Sequence, residues 1–204
     1  PLIFALESRT RARAEACWVA VERAIRIARH RGLPADLVTW SSARDAMYHR
    51  IMTKLWNTDL EAFTQVEGGD RLDAGVLLMP MVKFISPADP RFLSTLAAIE
   101  RELVTDSLVF RYQPATDGLD GDEGTFSLCT FWYVEALTRA GRLDDARLAL
   151  EKMFTYANHV GLYAEQVSAT GDQVGNFPQA FTYLALINSA GRWLVSVLAA
   201  KTLR

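Results

Sequence analysis

The fold is decided by the stretch CTFWYVEALTRAGRLDDARLALEKMFTYA, which spans residues 129–157. The small and apolar residues of its first half recur at helical spacing and share one helix face: Cys129, Trp132, Tyr133, Ala136, Leu137 and Ala140. Its second half repeats that spacing with Ala146, Ala149, Leu150, Met153, Phe154 and Ala157. Gly141 lies between the halves, where glycine favours a helix end. The stretch predicts two helices joined by a tight turn.

The same spacing appears earlier in the chain, at Cys17, Ala20, Val21, Ala24, Ile25 and Ala28. Together the patterns predict no long strand and helices over residues 11–31, 42–55, 71–84, 89–104, 124–140, 143–157 and 177–199. Gly32, like Gly141, follows a helix with basic residues in its last turn, which favours a C-terminal cap. The helices form pairs over 11–55, 71–104 and 124–157, and the last helix opens a fourth pair.

The links between the predicted helices differ in length. Links within pairs are short, whereas links between pairs run to about 15 to 20 residues, as in 105–123 and 158–176. Long loops are uncommon unless they bind or catalyse, and in a series of hairpins these loops all lie at one end. We therefore expect an all-α ring of hairpins with one functional end.

Composition excludes several classes of protein. Half of the 204 residues are hydrophobic and the net charge is −2, which disfavours disorder and a nucleic-acid-binding surface. No apolar stretch is long enough to predict a membrane span. The two cysteines, Cys17 and Cys129, form no CxxC pair, so we expect neither a disulfide framework nor a zinc site, and a reducing, cytoplasmic location.

The two long loops hold the candidate chemistry. Glu165 is the single glutamate of 158–176, and its apolar neighbours 162–164 direct it toward the core, where a shielded carboxylate can act as a general base. From these residues alone, a solvated or capping glutamate is the alternative. The acidic cluster 117–123 lacks calcium-loop spacing, and its last two residues, Asp122 and Glu123, suit a helix N-terminus. No metal or cofactor motif is present, and HExxH, GxSxG and GxxxxGK[ST] are all absent.

Five stretches resemble conserved runs of glycoside hydrolase family 15, which contains glucoamylases, glucodextranases and bacterial trehalases. They are LDAGVLLMP (72–80), DPRFLSTLAAIE (89–100), GDEGTFSLCTFWYVEALTRAGR (121–142), GLYAEQ (161–166) and GNFPQAFTYLALI (175–187). Their order and spacing are also similar, and the resemblance covers about residues 17–190.

The resemblance implies a fold and a site. The family's catalytic domain is an (α/α)6 toroid of helical hairpins, so residues 17–204 are expected to form the C-terminal half of such a toroid. Glu165 is similar to the family's general base, Arg111 to the arginine that binds the nonreducing glucose, and Glu123 to a residue of the same pocket. The implied function is an inverting hydrolase of α-linked glucose oligosaccharides, without cofactor or metal.

Residues 1–16 depart from the family pattern and are interpreted as a divergent segment. The family's general acid would lie near Leu2, and neither Glu7 nor Glu15 is in register with it. We therefore expect a truncated or frameshifted product that is inactive alone and self-associates through exposed helix faces. Two alternatives stay open: a helical-repeat protein-interaction module, and a pseudoenzyme that binds sugar without hydrolysing it.

Overall fold

The chain is built of helices joined by short turns or by small sheets. The computed structural model describes residues 10–113 and 124–202. Its α-helices are α1 (Arg11–Arg31), α2 (Leu37–Lys54), α3 (Pro90–Leu103), α4 (Ser127–Arg139), α5 (Leu143–Phe154) and α6 (Ala180–Thr202). The strands have two residues each: β1 (Trp56–Asn57), β2 (Ala62–Phe63), β3 (Val104–Thr105), β4 (Leu108–Val109), β5 (Thr125–Phe126), β6 (Gln166–Val167) and β7 (Gln173–Val174). A helical chain without long strands is therefore confirmed for the described residues.

Helices α1 and α2 form the first hairpin. Gly32 ends α1 in the left-handed conformation (φ 62°), and its N–H donates to the carbonyl of Ala28. Asp36 then begins α2, because its carboxylate accepts the backbone N–H of Thr39 at 3.0 Å and the hydroxyl of Thr39 at 2.7 Å. This cap places the start of α2 five residues before the predicted residue 42.

Helices α4 and α5 form the hairpin that the opening stretch predicts. Gly141 adopts φ 82°, and the N–H of Arg142 donates to the carbonyl of Leu137 at 2.9 Å, which closes the turn. Phe131, Leu137 and Met153 are fully buried between these helices and their neighbours. Helix α6 packs along α4, and the indole N–H of its Trp193 donates to the carbonyl of Leu143 at 3.0 Å.

The predicted helix over 71–84 is wrong. This segment forms a 3₁₀ helix, Ala74–Leu78, followed by turns. The carboxylate of Asp73 accepts the N–H of Gly75 at 2.6 Å and so starts a tight turn, while Pro80 has no N–H with which to continue an α-helix. The backbone then reverses at Lys83, where φ is 65°.

The links between hairpins carry the small sheets. Strands β1 and β2 pair in the first link, and β3 and β4 pair in the second. In the third link β6 is the centre of a sheet ordered β5, β6, β7, all antiparallel. This last sheet ties the 158–176 loop to the start of α4, which positions the residues of the candidate site.

Helix α6 has an exposed apolar side. Among the described helices it is the one long and apolar enough to cross a membrane by length and composition, and 11% of the window that meets this criterion is buried. The helix also has a protein-facing side, because it packs along α4 and its buried Thr182 donates to the carbonyl of Ala164 in the third link at 3.4 Å. The sequence analysis predicts no membrane-spanning segment. Nothing in the structure tests that prediction.

Candidate active site

The backbone around Glu165 is fixed by the three-stranded sheet. The N–H of Glu165 donates to the carbonyl of Asn176 at 3.0 Å, and its carbonyl accepts the N–H of Ser127 at 3.0 Å. The preceding residues Tyr163 and Ala164 are buried, at 4% and 2% exposure. The expectation that apolar neighbours carry Glu165 toward the core agrees with this position.

The side chain of Glu165 is half-buried and held at one oxygen. Its Oε2 accepts the side-chain amide of Asn176 at 2.9 Å and the backbone N–H of Asn176 at 3.2 Å. Gly175 makes room for it, since a Cβ there would lie 3.1 Å from both the Cβ and Oε2 of Glu165. Among the described residues Oε1 accepts no hydrogen bond, so this oxygen is available to a ligand or water.

Tyr163 anchors the loop that carries Glu165 to the helices beneath it. Its backbone N–H donates to the hydroxyl of Tyr183 at 2.9 Å, and its ring meets Phe131 edge to face with centroids 5.8 Å apart. Burial raises the pKa of the Tyr163 hydroxyl, and the neighbouring Tyr183 adds to the shift. The tyrosine is therefore a neutral, packed support for Glu165.

Arg111 reaches the site from the second long link. Its carbonyl accepts the N–H of Ala74 at 2.8 Å, which anchors the backbone beside the 3₁₀ helix. The guanidinium is exposed and lies over two aromatic rings, 5.7 Å from the centroid of Tyr112 and 5.9 Å from that of Phe126. This stacking orients a charged group with several N–H donors toward the same space as Glu165.

Glu165 and Arg111 line one cavity of about 700 Å³, a volume within the range of small-ligand sites. Leu128, Trp132 and Phe181 supply apolar walls, so the cavity combines a carboxylate, a guanidinium and aromatic surface. Trp132 falls on a core-facing helical pattern in the sequence, yet the structure places it half-buried against both core and cavity.

Three charged residues that the sequence analysis does not assign to the site form a cluster in the cavity wall. Arg11 is 1% exposed and Glu15 is 6% exposed, and the guanidinium of Arg11 donates to the carboxylate of Glu15. Arg11 also donates to Asp73 at 3.3 Å. Burial raises the pKa of Glu15, and Asp73 adds to the shift, although the charge and hydrogen bond of Arg11 oppose it. Only the structure brings these residues together, because Arg11 and Asp73 are 62 residues apart in the sequence.

The remaining predicted site residue, Glu123, lies outside the described residues, as does the acidic cluster around it. Among residues 10–113 and 124–202 no group of three or more histidine, cysteine or acidic side chains could hold a metal ion.

Asn176 is a residue of the candidate site that the sequence analysis does not identify. It could have been found from its position in the family-like stretch 175–187, eleven residues after Glu165.

Comparison with known proteins identifies relatives of the chain. Residues 14–191 match the family model of the glycosyl hydrolases family 15. The trehalase of Thermoplasma acidophilum is 42% identical over 174 residues, which is 85% of this chain and 30% of the trehalase. The trehalase of Mycobacterium tuberculosis is 40% identical over 177 residues, 85% of this chain and 26% of that protein. The chain thus spans less than a third of the length of these relatives.

Solved structures share the fold. A glycosidase variant in complex with glucose superposes with a TM-score of 0.73 at 18% identity, covering 91% of this chain and 53% of the glycosidase. A bacterial glucoamylase complexed with acarbose gives a TM-score of 0.71 at 18% identity, covering 89% of this chain and 33% of the glucoamylase. The prediction of a partial α/α toroid is confirmed by this likeness.

Proposed function

Because the chain belongs to the glycosyl hydrolases family 15, we propose that it forms the base-bearing part of an inverting α-glucoside hydrolase. The observation that carries the proposal is Glu165, which shares one cavity with Arg111 and is oriented by Asn176. The proposed substrates are trehalose or other α-linked glucose oligosaccharides, in keeping with the trehalase relatives.

Glu165 would act as the general base. In an inverting reaction one carboxylate deprotonates a water that attacks the anomeric carbon, while a carboxylic acid on the opposite face protonates the leaving oxygen. Asn176 occupies Oε2 of Glu165, so Oε1 is the oxygen that would accept the proton from water. A fixed carboxylate holds the water in line and avoids reorganisation during the reaction.

Arg111 would bind the sugar that carries the attacked carbon. Its guanidinium presents several donors to sugar hydroxyls, and the ring of Phe126 keeps it in place. Trp132 offers an apolar surface to a sugar ring in the same cavity. Glu123 is proposed for the same pocket on the family resemblance.

We propose that the described residues of this chain do not include the proton donor of the reaction. Glu15 is the other glutamate in the cavity wall, but its carboxylate is engaged by Arg11 and is nearly inaccessible. Such a carboxylate does not reach a glycosidic oxygen. We therefore expect the 204-residue chain alone to hydrolyse α-glucosides little or not at all.

The experiment joins this chain to a region that the trehalase relatives have outside their matched residues. The region of the Thermoplasma acidophilum trehalase that precedes its matched residues is fused ahead of this chain, and glucose release is measured with trehalose, maltose and starch. We expect hydrolysis by the fusion and its loss in Glu165→Gln. Undiminished turnover in Glu165→Gln would refute the base assignment, and sugar binding without glucose release would favour a sugar-binding protein instead.

Other expectations about partners belong with this proposal. The helical-repeat interaction module has no specific observation in its favour, since the long links line a cavity. We propose that the protein does not bind nucleic acid, on the basis of its net charge of −2, and that it is cytoplasmic, on the basis of two cysteines that form no CxxC pair. That it has no membrane partner stays an expectation from the sequence, beside the finding that α6 is long and apolar enough to span one. Isolated copies are expected to self-associate through the exposed apolar side of α6, which light scattering would detect.

A further inference from the structure

A buried arginine joins the start of α1 to the 3₁₀ helix. The guanidinium of Arg11 donates to Glu15, one turn further along α1, and its Nη2 donates to Asp73 at 3.3 Å. The backbone N–H of Arg11 donates to the carbonyl of Gln65 at 2.8 Å, so the first link between hairpins holds the same residue. The side chains of Arg11 and Asp73 are 2% and 16% exposed. Arg11 is therefore held at both its backbone and its side chain.

Asp73 connects this guanidinium to the backbone of Arg111. Its Oδ1 accepts both the guanidinium and the N–H of Gly75, the latter at 2.6 Å. Asp73 also pairs with Tyr112 in an isolated antiparallel bridge, and the N–H of the next residue, Ala74, donates to the carbonyl of Arg111 at 2.8 Å. A contact that fixes Asp73 therefore also fixes the backbone of Arg111.

Gly75 leaves the space that the contact between Arg11 and Asp73 needs. A Cβ at this position would lie 2.7 Å from Nη2 of Arg11 and 2.8 Å from Oδ1 of Asp73. The φ angle of Gly75 lies outside the left-handed region, so its backbone conformation is open to other residues. Glycine is therefore required here by the approach of the guanidinium and not by its own backbone conformation.

Stability alone does not explain the cluster of Arg11, Glu15 and Asp73. Removing charges from water costs free energy that the attraction between them often does not offset, and apolar residues of similar volume frequently stabilise a protein equally well. The Nε–H of Arg11 is buried and has no hydrogen-bond partner among the described residues, which adds to this cost. A role of the guanidinium in the geometry of the cavity accounts for its burial better than a contribution to stability.

The family match does not include Arg11. The family model begins at residue 14, and the residues before it depart from the family's sequence pattern. Arg11 nevertheless lines the cavity that contains Glu165 and Arg111. Its role must therefore be inferred from the contacts of this chain.

We propose that Arg11 is a positioning residue for Arg111, acting through Asp73 and the start of the 3₁₀ helix. The guanidinium of Arg11 holds Asp73, and the N–H of Ala74 then holds the carbonyl of Arg111, so the guanidinium of Arg111 extends from a fixed backbone. Arg11 does not need to touch a sugar, because its acidic partners lie within the protein. The consequence for sugar binding rests on the proposed function, whereas the positioning is a property of the chain alone.

The first test measures the positioning without substrate, in the intact 204-residue chain. The variant Arg11→Met/Glu15→Leu replaces the buried pair with apolar residues of similar size, so its Tm should not fall. The amides of Ala74 and Gly75 should nevertheless exchange with D2O at least about tenfold faster, as resolved by NMR, because the start of the 3₁₀ helix is no longer held.

The matched control replaces a similar pair elsewhere. Arg139 and Glu135 are also an arginine and a glutamate four residues apart, and the side chain of Glu135 is 5% exposed. Arg139→Met/Glu135→Leu should leave the exchange of the two amides unchanged. Gly75→Ala is an independent variant, because its Cβ would displace the guanidinium, and it should accelerate the amide of the preceding residue. Wild-type exchange in the Arg11 variant, or exchange accelerated equally in all helices, would overturn the proposal.

The second test measures the consequence for sugar binding in the fusion with the trehalase region. Arg11→Met/Glu15→Leu should raise KM for trehalose about threefold with a smaller change in kcat, the direction expected of Arg111→Ala. Because Arg11 acts through Arg111, combining these changes should raise KM no further than Arg111→Ala alone, and additive effects on KM would overturn the proposal. Arg111→Ala by itself tests the sugar-binding role, so a failure of the proposed function is distinguished from a failure of the positioning.

Discussion

Replacing Asn176 by alanine removes the side-chain donor that holds Oε2 of Glu165 at 2.9 Å and leaves the backbone N–H at 3.2 Å. A hydrogen bond to a charged group contributes about 1.5–3 kcal/mol, and the exposure of Asn176 reduces this to about 1 kcal/mol. If the bond orients Glu165 for proton transfer, kcat should fall about fivefold.

The separate changes in kcat and KM distinguish orientation from general damage. Because Asn176 holds the carboxylate of Glu165, Asn176→Ala should lower kcat for trehalose in the fusion with the trehalase region and change KM by less than about twofold. Asn176→Asp has the same shape but replaces the donor beside Oε2 of Glu165 with a carboxylate, and it should lower kcat further. Asp172→Asn, in the same loop and bonded to Thr170, should match the wild type. An unchanged kcat in Asn176→Ala would refute the positioning role.

Three further predictions concern other parts of the chain. Arg111→Ala should raise KM for trehalose in the fusion about tenfold with a smaller change in kcat, and an unchanged KM would exclude Arg111 from sugar binding. Burial raises the pKa of Glu15, so the folded chain keeps this proton when the unfolded chain loses it near the ordinary value of 4.5. The Tm of the wild type should therefore decline relative to Glu15→Gln as pH rises from about 4 to 7, and parallel curves would contradict the shift. Phe131→Ala, at a fully buried site, should lower the free energy of unfolding by about 3–5 kcal/mol in urea denaturation, whereas Leu148→Ala, 55% exposed, should change it by less than about 0.5 kcal/mol.

Helical periodicity predicts most of the fold. The α4–α5 hairpin is predicted because each of its helices buries one side, which makes apolar residues recur at helical spacing. Gly141 follows the end of α4 as expected. The segment 71–84 defeats the same reasoning. It is apolar at helical spacing, but Pro80 and the short turn capped by Asp73 prevent an α-helix. The spacing of apolar residues predicts which positions are buried, whereas the available backbone hydrogen bonds determine whether the segment forms an α-helix or a 3₁₀ helix.

The candidate site is less predictable than the fold. Glu165 emerges from its loop and from the family resemblance, and Arg111 from the resemblance alone. Arg11, Glu15 and Asp73 are not foreseeable, since their contact depends on how α1 meets the 3₁₀ helix.

The central claim is that Glu165 is the base of an inverting reaction. Proton NMR of trehalose hydrolysis by the fusion tests it most directly, because the anomers of glucose give separate signals before they equilibrate. We predict that one equivalent of β-glucose appears first for each bond cleaved, and that Glu165→Gln lowers the initial rate by about a thousandfold. Release of α-glucose alone, or an undiminished rate in Glu165→Gln, would contradict it.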